Sequence, residues 1–207
     1  MTRILLAGAS GMVGRELLQQ ALTDPRVDEV VAPARRALAA HAKLRNPLVD
    51  FDDLPVDADW WKVDAVICTL GTTIRDAGSQ AAFRKVDYDY PLAVARHALA
   101  HGASTFVLTS ASGANADSRI FYSRTKGELE DSLRALGFRS LGLVRPGLLG
   151  GQRERRRPLE HAGMQLLGAM GPLLPRRYRV VPAERVAATL LRAALHAEPG
   201  VRIIESE

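Results

Sequence analysis

The sequence contains few of the residues that build disulfides, metal centres or membrane spans. Its single cysteine, Cys68, excludes an intrachain disulfide and leaves no basis for a zinc site built on cysteines. The five histidines are scattered without metal-ligand spacing, so we expect no metal. No apolar run approaches the ~18–20 residues that cross a membrane, and we expect no membrane association. A single thiol suits a reducing compartment, which predicts a cytoplasmic protein.

Aromatic residues and excess charge are also scarce. Aromatics make up 5% of the 207 residues, and 28 Lys and Arg against 23 Asp and Glu leave a formal net charge of +5. A protein that binds nucleic acid more often shows a basic stripe interleaved with aromatics. We therefore expect a small-molecule substrate and no nucleic-acid partner.

The chain does contain short apolar segments that alternate with helical patterns. The segments that predict strands are residues 3–9, 29–34, 48–51, 64–70, 105–111, 140–145 and 201–206. The helical patterns are residues 12–22, 88–102, 122–136 and 183–197. Strands with little alternation of apolar and polar residues are typical of a parallel sheet covered by helices on both faces. The sequence predicts an α/β fold, a Rossmann-like doubly wound parallel sheet with right-handed crossovers.

The domain organisation follows from a change of composition late in the chain. Residues 152–182 are rich in Arg, Pro, Gly and Leu and show no clear strand. There are no repeats or linkers, so we expect one domain over residues 1–207, in which residues 148–182 form a small C-terminal cap for the substrate.

A glycine-rich segment, GASGMVG, joins the first predicted strand to the first predicted helix. Gly8 permits a sharp turn, Gly11 lets the backbone approach a pyrophosphate, and Gly14 lets the helix pack against the sheet. The N–H groups at the helix start favour the anion. The spacing is looser than the usual dinucleotide fingerprint, and a purely structural turn is the alternative.

The end of the second predicted strand indicates which dinucleotide binds. An acidic residue there would hold a ribose 2′-hydroxyl, but the sequence has Arg35 and Arg36 and no acid. Guanidinium groups suit a 2′-phosphate, so NADP(H) is favoured over NAD(H). Two solvated loop arginines are the alternative.

A tyrosine and a lysine lie on the apolar face of the third helical pattern. Tyr122, Lys126, Leu129, Leu133 and Leu136 recur at intervals of four and three residues, which is one stripe of an amphipathic helix. A buried ammonium is costly unless it is paired or used. Beside a phenol it stabilises the phenolate and assists general acid–base catalysis, and it can also hold a nicotinamide ribose. The alternative is a lysine that snorkels to solvent.

A serine is expected to position the substrate oxygen. Ser110 ends a predicted strand at the edge where ligands bind in such sheets. Ser112 lies two residues further on, and the sequence does not decide between the two.

Together these segments resemble the short-chain dehydrogenase/reductase superfamily, in particular its atypical members with a shortened substrate region. The similarity is greatest to the Tat-interacting protein (metastasis-suppressor) branch of NADPH-binding oxidoreductase-like proteins and covers nearly the whole chain. The segments that carry it are GASGMVGREL, ARR (34–36), VDF (49–51), CTLGTT (68–73), VDYDYPL (86–92), TSASGAN (109–115), YSRTKGELE (122–130) and RPGLL (145–149).

The resemblance implies a sheet of order 3-2-1-4-5-6-7 and a catalytic pair, Tyr122 and Lys126, assisted by Ser110. With the glycine loop, the cofactor groove that it implies consists of Gly8, Ser10, Gly11, Met12, Val13, Gly14, Arg35, Arg36, Phe51, Leu70, Gly71 and Lys126. The chain departs from the superfamily where CTLGTT replaces the usual asparagine-alanine-glycine signature, which puts an asparagine-linked proton relay in doubt.

The sequence thus predicts an NADP(H)-dependent oxidoreductase that acts on a small carbonyl or alcohol. The alternative is a non-catalytic NADPH-binding regulatory or redox-sensing module. The intact set of Ser110, Tyr122 and Lys126 favours the enzyme, while the small cap favours the module. The substrate, the direction of reaction and the oligomeric state stay open.

Overall fold

The computed structural model describes residues 2–150 and 180–206 of the chain. The strands are β1 (Thr2–Ala7), β2 (Val27–Val31), β3 (Leu44–Arg45), β4 (Ala65–Cys68), β5 (Thr105–Thr109), β6 (Ser140–Pro146), β7 (Leu148–Gly150), β8 (Val180–Pro182) and β9 (Gly200–Ser206). Seven of them form a parallel sheet in the order β3-β2-β1-β4-β5-β6-β9.

Helices cover both faces of this sheet. They are α1 (Met12–Thr23), α2 (Ile74–Ala77), α3 (Gln80–Arg84), α4 (Tyr90–Ala100), α5 (Phe121–Leu136) and α6 (Ala183–Leu195). One turn of π-helix, Lys85–Asp89, joins α3 to α4. The apolar sides of α1 and α6 form one core with the sheet, and those of α4 and α5 form the other. Among the residues described, no helix combines the length and the apolar character needed to cross a membrane.

The predicted fold class and strand order are confirmed, and the differences concern where strands begin and end. The third strand is Leu44–Arg45 and not residues 48–51. Leu48 makes only an isolated bridge to Ala34 and is 65% exposed, while Phe51 is buried as part of a loop. The apolar run that predicted a strand therefore reflects loop side chains, one of which reaches the core.

Several strands end earlier at the carboxyl edge of the sheet than predicted. β2 stops at Val31, ahead of a proline, which cannot donate a hydrogen bond within a sheet. β4 stops at Cys68 and β5 at Thr109, so the residues that follow them form loops at this edge. These loops carry most of the predicted site residues.

The predicted cap over residues 148–182 lies outside the described residues except at its two ends. There β7 and β8 pair as a second, two-stranded parallel sheet.

Candidate functional site

The glycine loop after β1 adopts a conformation that requires its glycines. Gly8 has φ +96°, which side chains rarely allow. A Cβ on Gly14 would lie 2.1 Å from the carbonyl oxygen of Gly8, so α1 can pack this close only without one. Gly11 is the N-cap of α1 and provides no side-chain cap for the first-turn N–H groups. The backbone N–H groups at the start of α1 thus receive no side-chain cap from Gly11, and anion binding there stays a prediction.

A cavity of about 90 Å³ opens beside this loop, between the ends of β1, β2 and β4. It is lined by Gly8, Ala9, Ser10, Pro33, Ala34, Arg35, Phe51, Leu70, Val86 and Tyr90. Five of the predicted cofactor residues are thus brought together: Gly8, Ser10, Arg35, Phe51 and Leu70. The lining does not include Arg36, which is exposed beside Arg35. The side chain of Val13 is buried in the core, and that of Met12 is partly buried against it.

Tyr90 forms a wall of this cavity that the sequence did not predict. Its ring lies 5.6 Å from that of Phe51, and its hydroxyl donates a 2.7 Å hydrogen bond to Asp52. Lys85 forms an ion pair with the same carboxylate at 2.7 Å. Burial, with the hydrogen bond to Asp52, raises the pKa of Tyr90. The first turn of α4 is thereby fastened to the loop after β3.

Lys126 is buried, as the stripe on α5 predicts, and its ammonium is paired. Its Nζ lies 2.7 Å from Oδ1 of Asp87, and only 5% and 1% of these two side chains are exposed. Burial by itself favours the neutral amine and is the largest single influence, but the charge and hydrogen bond of Asp87, together with smaller contributions from Tyr122 and Cys68, raise the pKa of Lys126. The partner is thus an internal carboxylate that sequence reasoning missed.

The loop after β4 connects the glycine loop with Lys126. A Cβ on Gly8 would lie 2.8 Å from the backbone N of Leu70, and a Cβ on Gly71 would lie 3.8 Å from Nζ of Lys126. The predicted phosphate-binding loop and the predicted lysine therefore contact adjacent residues of one short segment.

Tyr122 lies at the start of α5, one turn before Lys126. Its side chain is 37% exposed, and its ring lies 5.6 Å from that of the buried Phe83. The phenol is therefore anchored on one side and accessible on the other. This is what a proton donor that meets a substrate requires.

Ser110 follows the last residue of β5 and is directed into the protein. Its hydroxyl donates a 2.5 Å hydrogen bond to Oε1 of the fully buried Glu130. Arg145 binds both oxygens of that carboxylate, with Nε 3.0 Å from Oε1 and Nη2 2.6 Å from Oε2. Ser112, the alternative, is half-buried, and its backbone N–H donates to the carbonyl of Pro146. Tyr122, Lys126 and Ser110 stay predictions as catalytic residues.

Curated relatives match the chain over most of its length. The Fmp52 protein of Emericella nidulans is 36% identical over 180 residues, which are 83% of this chain and 77% of that protein. HTATIP2 of Rattus norvegicus is 35% identical over 172 residues, which are 81% of this chain and 71% of that protein. The chain belongs to the Fmp52 and HTATIP2 family.

The predicted similarity to the Tat-interacting protein branch is confirmed by the match to HTATIP2, and the fold is that of solved short-chain dehydrogenase structures. The structure of MoeE5 in complex with UDP-glucose and NAD superposes with a TM-score of 0.74 at 19% identity, covering 98% of this chain and 75% of that chain. A short-chain dehydrogenase family protein from Francisella tularensis superposes with a TM-score of 0.69 at 13% identity, covering 100% and 98% of the two chains. No family profile matches the chain.

The predicted cytoplasmic location is contradicted by the same relatives. The Fmp52 proteins of Emericella nidulans, Aspergillus terreus and Candida albicans are named mitochondrial. The inference failed because a single cysteine shows only that the fold does not depend on disulfides, and that condition is met in more than one compartment.

Sequence reasoning did not identify three residues of this member of the Fmp52 and HTATIP2 family: Asp87, Tyr90 and Glu130. Asp87 and Tyr90 belong to the VDYDYPL segment, which contributes to the family resemblance but implied no role for either residue. Glu130 lies four residues after Lys126, one further step along the same helical face. That spacing could have indicated that Glu130 is buried, but a charged residue at such a position is usually solvated.

Proposed function

We propose that this protein is an NADP(H)-dependent oxidoreductase that acts on a small carbonyl or alcohol. One observation carries the proposal: residues 69–71 contact the glycine loop at one end and approach Lys126 at the other. A dinucleotide whose phosphates bind at the start of α1 would extend toward the helix that carries Tyr122 and Lys126. The proposal is also supported by the NAD named in the complex of the similar MoeE5 fold.

The residues around the cavity suit the adenosine half of such a cofactor. Phe51 and Tyr90 provide aromatic surface, and the exposed Arg35 provides a guanidinium at the cavity wall. The backbone donors at the start of α1 suit a pyrophosphate. Arg35, with Arg36 beside it, favours a ribose that carries a 2′-phosphate.

The residues on α5 supply the proton chemistry of the proposed reaction. Bound nicotinamide would exchange a hydride with the substrate carbon. The Tyr122 hydroxyl donates its proton to the substrate oxygen in reduction, and the resulting phenolate accepts the alcohol proton in oxidation. Lys126, one helical turn after Tyr122, supplies an ammonium that can hold the nicotinamide ribose by its hydroxyls. Ser110 contributes a hydroxyl at the end of β5 that helps to position the substrate oxygen.

The proposal is tested by replacing the phenol hydroxyl alone. We expect Tyr122→Phe to lower carbonyl-dependent NADPH oxidation by about 10²–10⁴-fold, because general acid–base catalysis contributes this much. NADPH affinity, measured by fluorescence titration, should stay within about twofold, because the ring remains.

Tyr88→Phe is the matched control. The Tyr88 hydroxyl lies 2.8 Å from Oγ of Ser132, so this variant loses a phenol hydroxyl that pairs within the fold and should keep full turnover. A Tyr122→Phe variant with undiminished turnover would exclude the proposed acid. If the unaltered protein binds NADPH but reduces no member of a carbonyl panel, the non-catalytic module is the better description.

A further inference from the structure

We propose that Asp87 is a positioning residue that keeps Lys126 protonated and fixes its ammonium, so that the site works with a buried ion pair and not with a lone lysine. The consequence for turnover rests on the function proposed above. The ion pair itself does not, and it can be tested without a cofactor.

The Asp87 carboxylate is held at both oxygens. Oδ1 lies 2.7 Å from Nζ of Lys126, and Oδ2 accepts a 2.8 Å hydrogen bond from the backbone N–H of Thr72. A Cβ on Gly71 would lie 3.3 Å from the same Oδ1, so the loop after β4 packs directly over the pair. Asp87 therefore ties Lys126 to the loop that contacts the glycine turn.

The turn of π-helix carries two acids, of which one is buried. Asp87 is 1% exposed, whereas Lys85 and Asp89, two positions before and after it, are exposed. A π-turn inserts an extra residue into a helix, which changes the face that the following side chains occupy, and such turns are frequent at functional sites. Asp89 is chemically identical to Asp87 and lies in the same turn, which makes it a natural control.

The need for a carboxylate follows from the burial of the lysine. A fully buried lysine without an anion can have a pKa of about 5–6, because burial disfavours the charged form. The titratable groups that act on Lys126 are Asp87 from the π-turn, Cys68 from β4 and Tyr122 from its own helix. Burial raises the pKa of Cys68 to about 12, so the thiol stays uncharged near neutral pH. Of these three groups, Asp87 is the carboxylate, and it provides the negative charge that the buried lysine needs.

The first experiment measures the free energy of unfolding against pH without cofactor. In the unaltered protein the pKa of Lys126 is raised above the unfolded value of about 10.4, so its stabilisation is complete below that pH and is lost above it. In Asp87→Asn the folded pKa falls below the unfolded one, and the unfolded chain then binds more protons. Between the folded value and about pH 10, stability should rise with pH, by up to tenfold in the unfolding equilibrium constant per pH unit.

Two further variants make the result decisive. Asp89→Asn should keep the pH dependence of the unaltered protein. Asp87→Asn combined with Lys126→Met removes both charges and should abolish the new rise. If Asp87→Asn does not fold but the double variant does, an uncompensated ammonium is the cause and the inference holds. It is overturned if Asp87→Asn has the same pH dependence as Asp89→Asn, or if the double variant also fails to fold.

The second experiment follows NADPH-dependent turnover against pH in the same variants. We expect Asp87→Asn to lose turnover progressively as pH rises through the neutral range, where its unpaired lysine loses the proton, while Asp89→Asn does not. Rising or unchanged turnover in Asp87→Asn would contradict a role for the pair in the reaction. Absence of turnover in the unaltered protein would defeat the proposed function but leave the unfolding result to decide the ion pair.

Discussion

The hydroxyl of Ser110, the residue after β5, donates a 2.5 Å hydrogen bond to Glu130 on α5. Arg145 and Arg134 also bind this carboxylate, so the serine belongs to a buried ionic cluster. In this arrangement the hydroxyl keeps its lone pairs and can accept a hydrogen bond from an alcohol. To donate to a carbonyl it must rotate away from Glu130.

We therefore expect Ser110→Ala to affect both stability and turnover. The free energy of unfolding should fall by about 1 kcal/mol, because Glu130 loses one of its hydrogen bonds. Turnover should fall by about 10²-fold at temperatures where the variant is fully folded, because a donor for the substrate oxygen is lost. Chemical denaturation and steady-state NADPH oxidation measure the two effects.

Ser112→Ala is the control for this prediction. Ser112 lies beyond the strand, and its hydroxyl makes no hydrogen bond within the part of the chain that the structure describes. We expect both measurements to stay near those of the unaltered protein. A loss of turnover in Ser112→Ala, with Ser110→Ala still active, would assign the role to Ser112.

The burial of Lys126 was predictable from the sequence, but its partner was not. The stripe of leucines on α5 fixes which face is buried, and Lys126 lies on that face. The sequence alone does not show that Asp87, and not the nearby Asp89, is this partner, because the contact depends on how the π-turn packs against α5. Local periodicity can identify a buried charge, whereas the counter-charge depends on how two helices meet.

The same reasoning explains the third strand. Its predicted position, residues 48–51, has the apolar character of a strand, but the sheet hydrogen bonds are made by Lys43 and Arg45, whose carbonyls accept from Val30 and Ala32. A strand of only two residues is too short to show a pattern of apolar and polar side chains, so the sequence could not predict it. The glycine loop was easier to predict, because its φ angles and close contacts admit few other residues.

The aromatic wall formed by Tyr90 leads to a prediction about cofactor binding. We expect Tyr90→Leu to weaken NADPH binding by about tenfold, because the ring that packs against Phe51 in the cavity is lost. Tyr90→Phe keeps the ring and loses only the hydrogen bond to Asp52, so its affinity should stay within about twofold. Isothermal titration calorimetry measures both. Equal affinities in the two variants would show that the cofactor does not use this wall.

The last prediction concerns the choice between NADPH and NADH. Arg35 lines the cavity and Arg36 is exposed beside it. Hydrogen bonds to charged groups contribute about 1.5–3 kcal/mol each, so Arg35→Ala should raise the NADPH dissociation constant by about 10–100-fold. The effect of Arg36→Ala should be smaller, because its side chain does not line the cavity. NADH lacks the 2′-phosphate, and its affinity should change by less than about twofold.

Arg96→Ala serves as the control for the loss of one positive charge, because Arg96 is exposed on α4. It should leave both affinities unchanged, and raising the salt concentration should weaken NADPH more than NADH, because salt screens exposed charges. If Arg35→Ala and Arg36→Ala weaken NADPH and NADH equally, the arginines hold the cofactor without reading its phosphate. The preference for NADP(H) would then have no support in this loop.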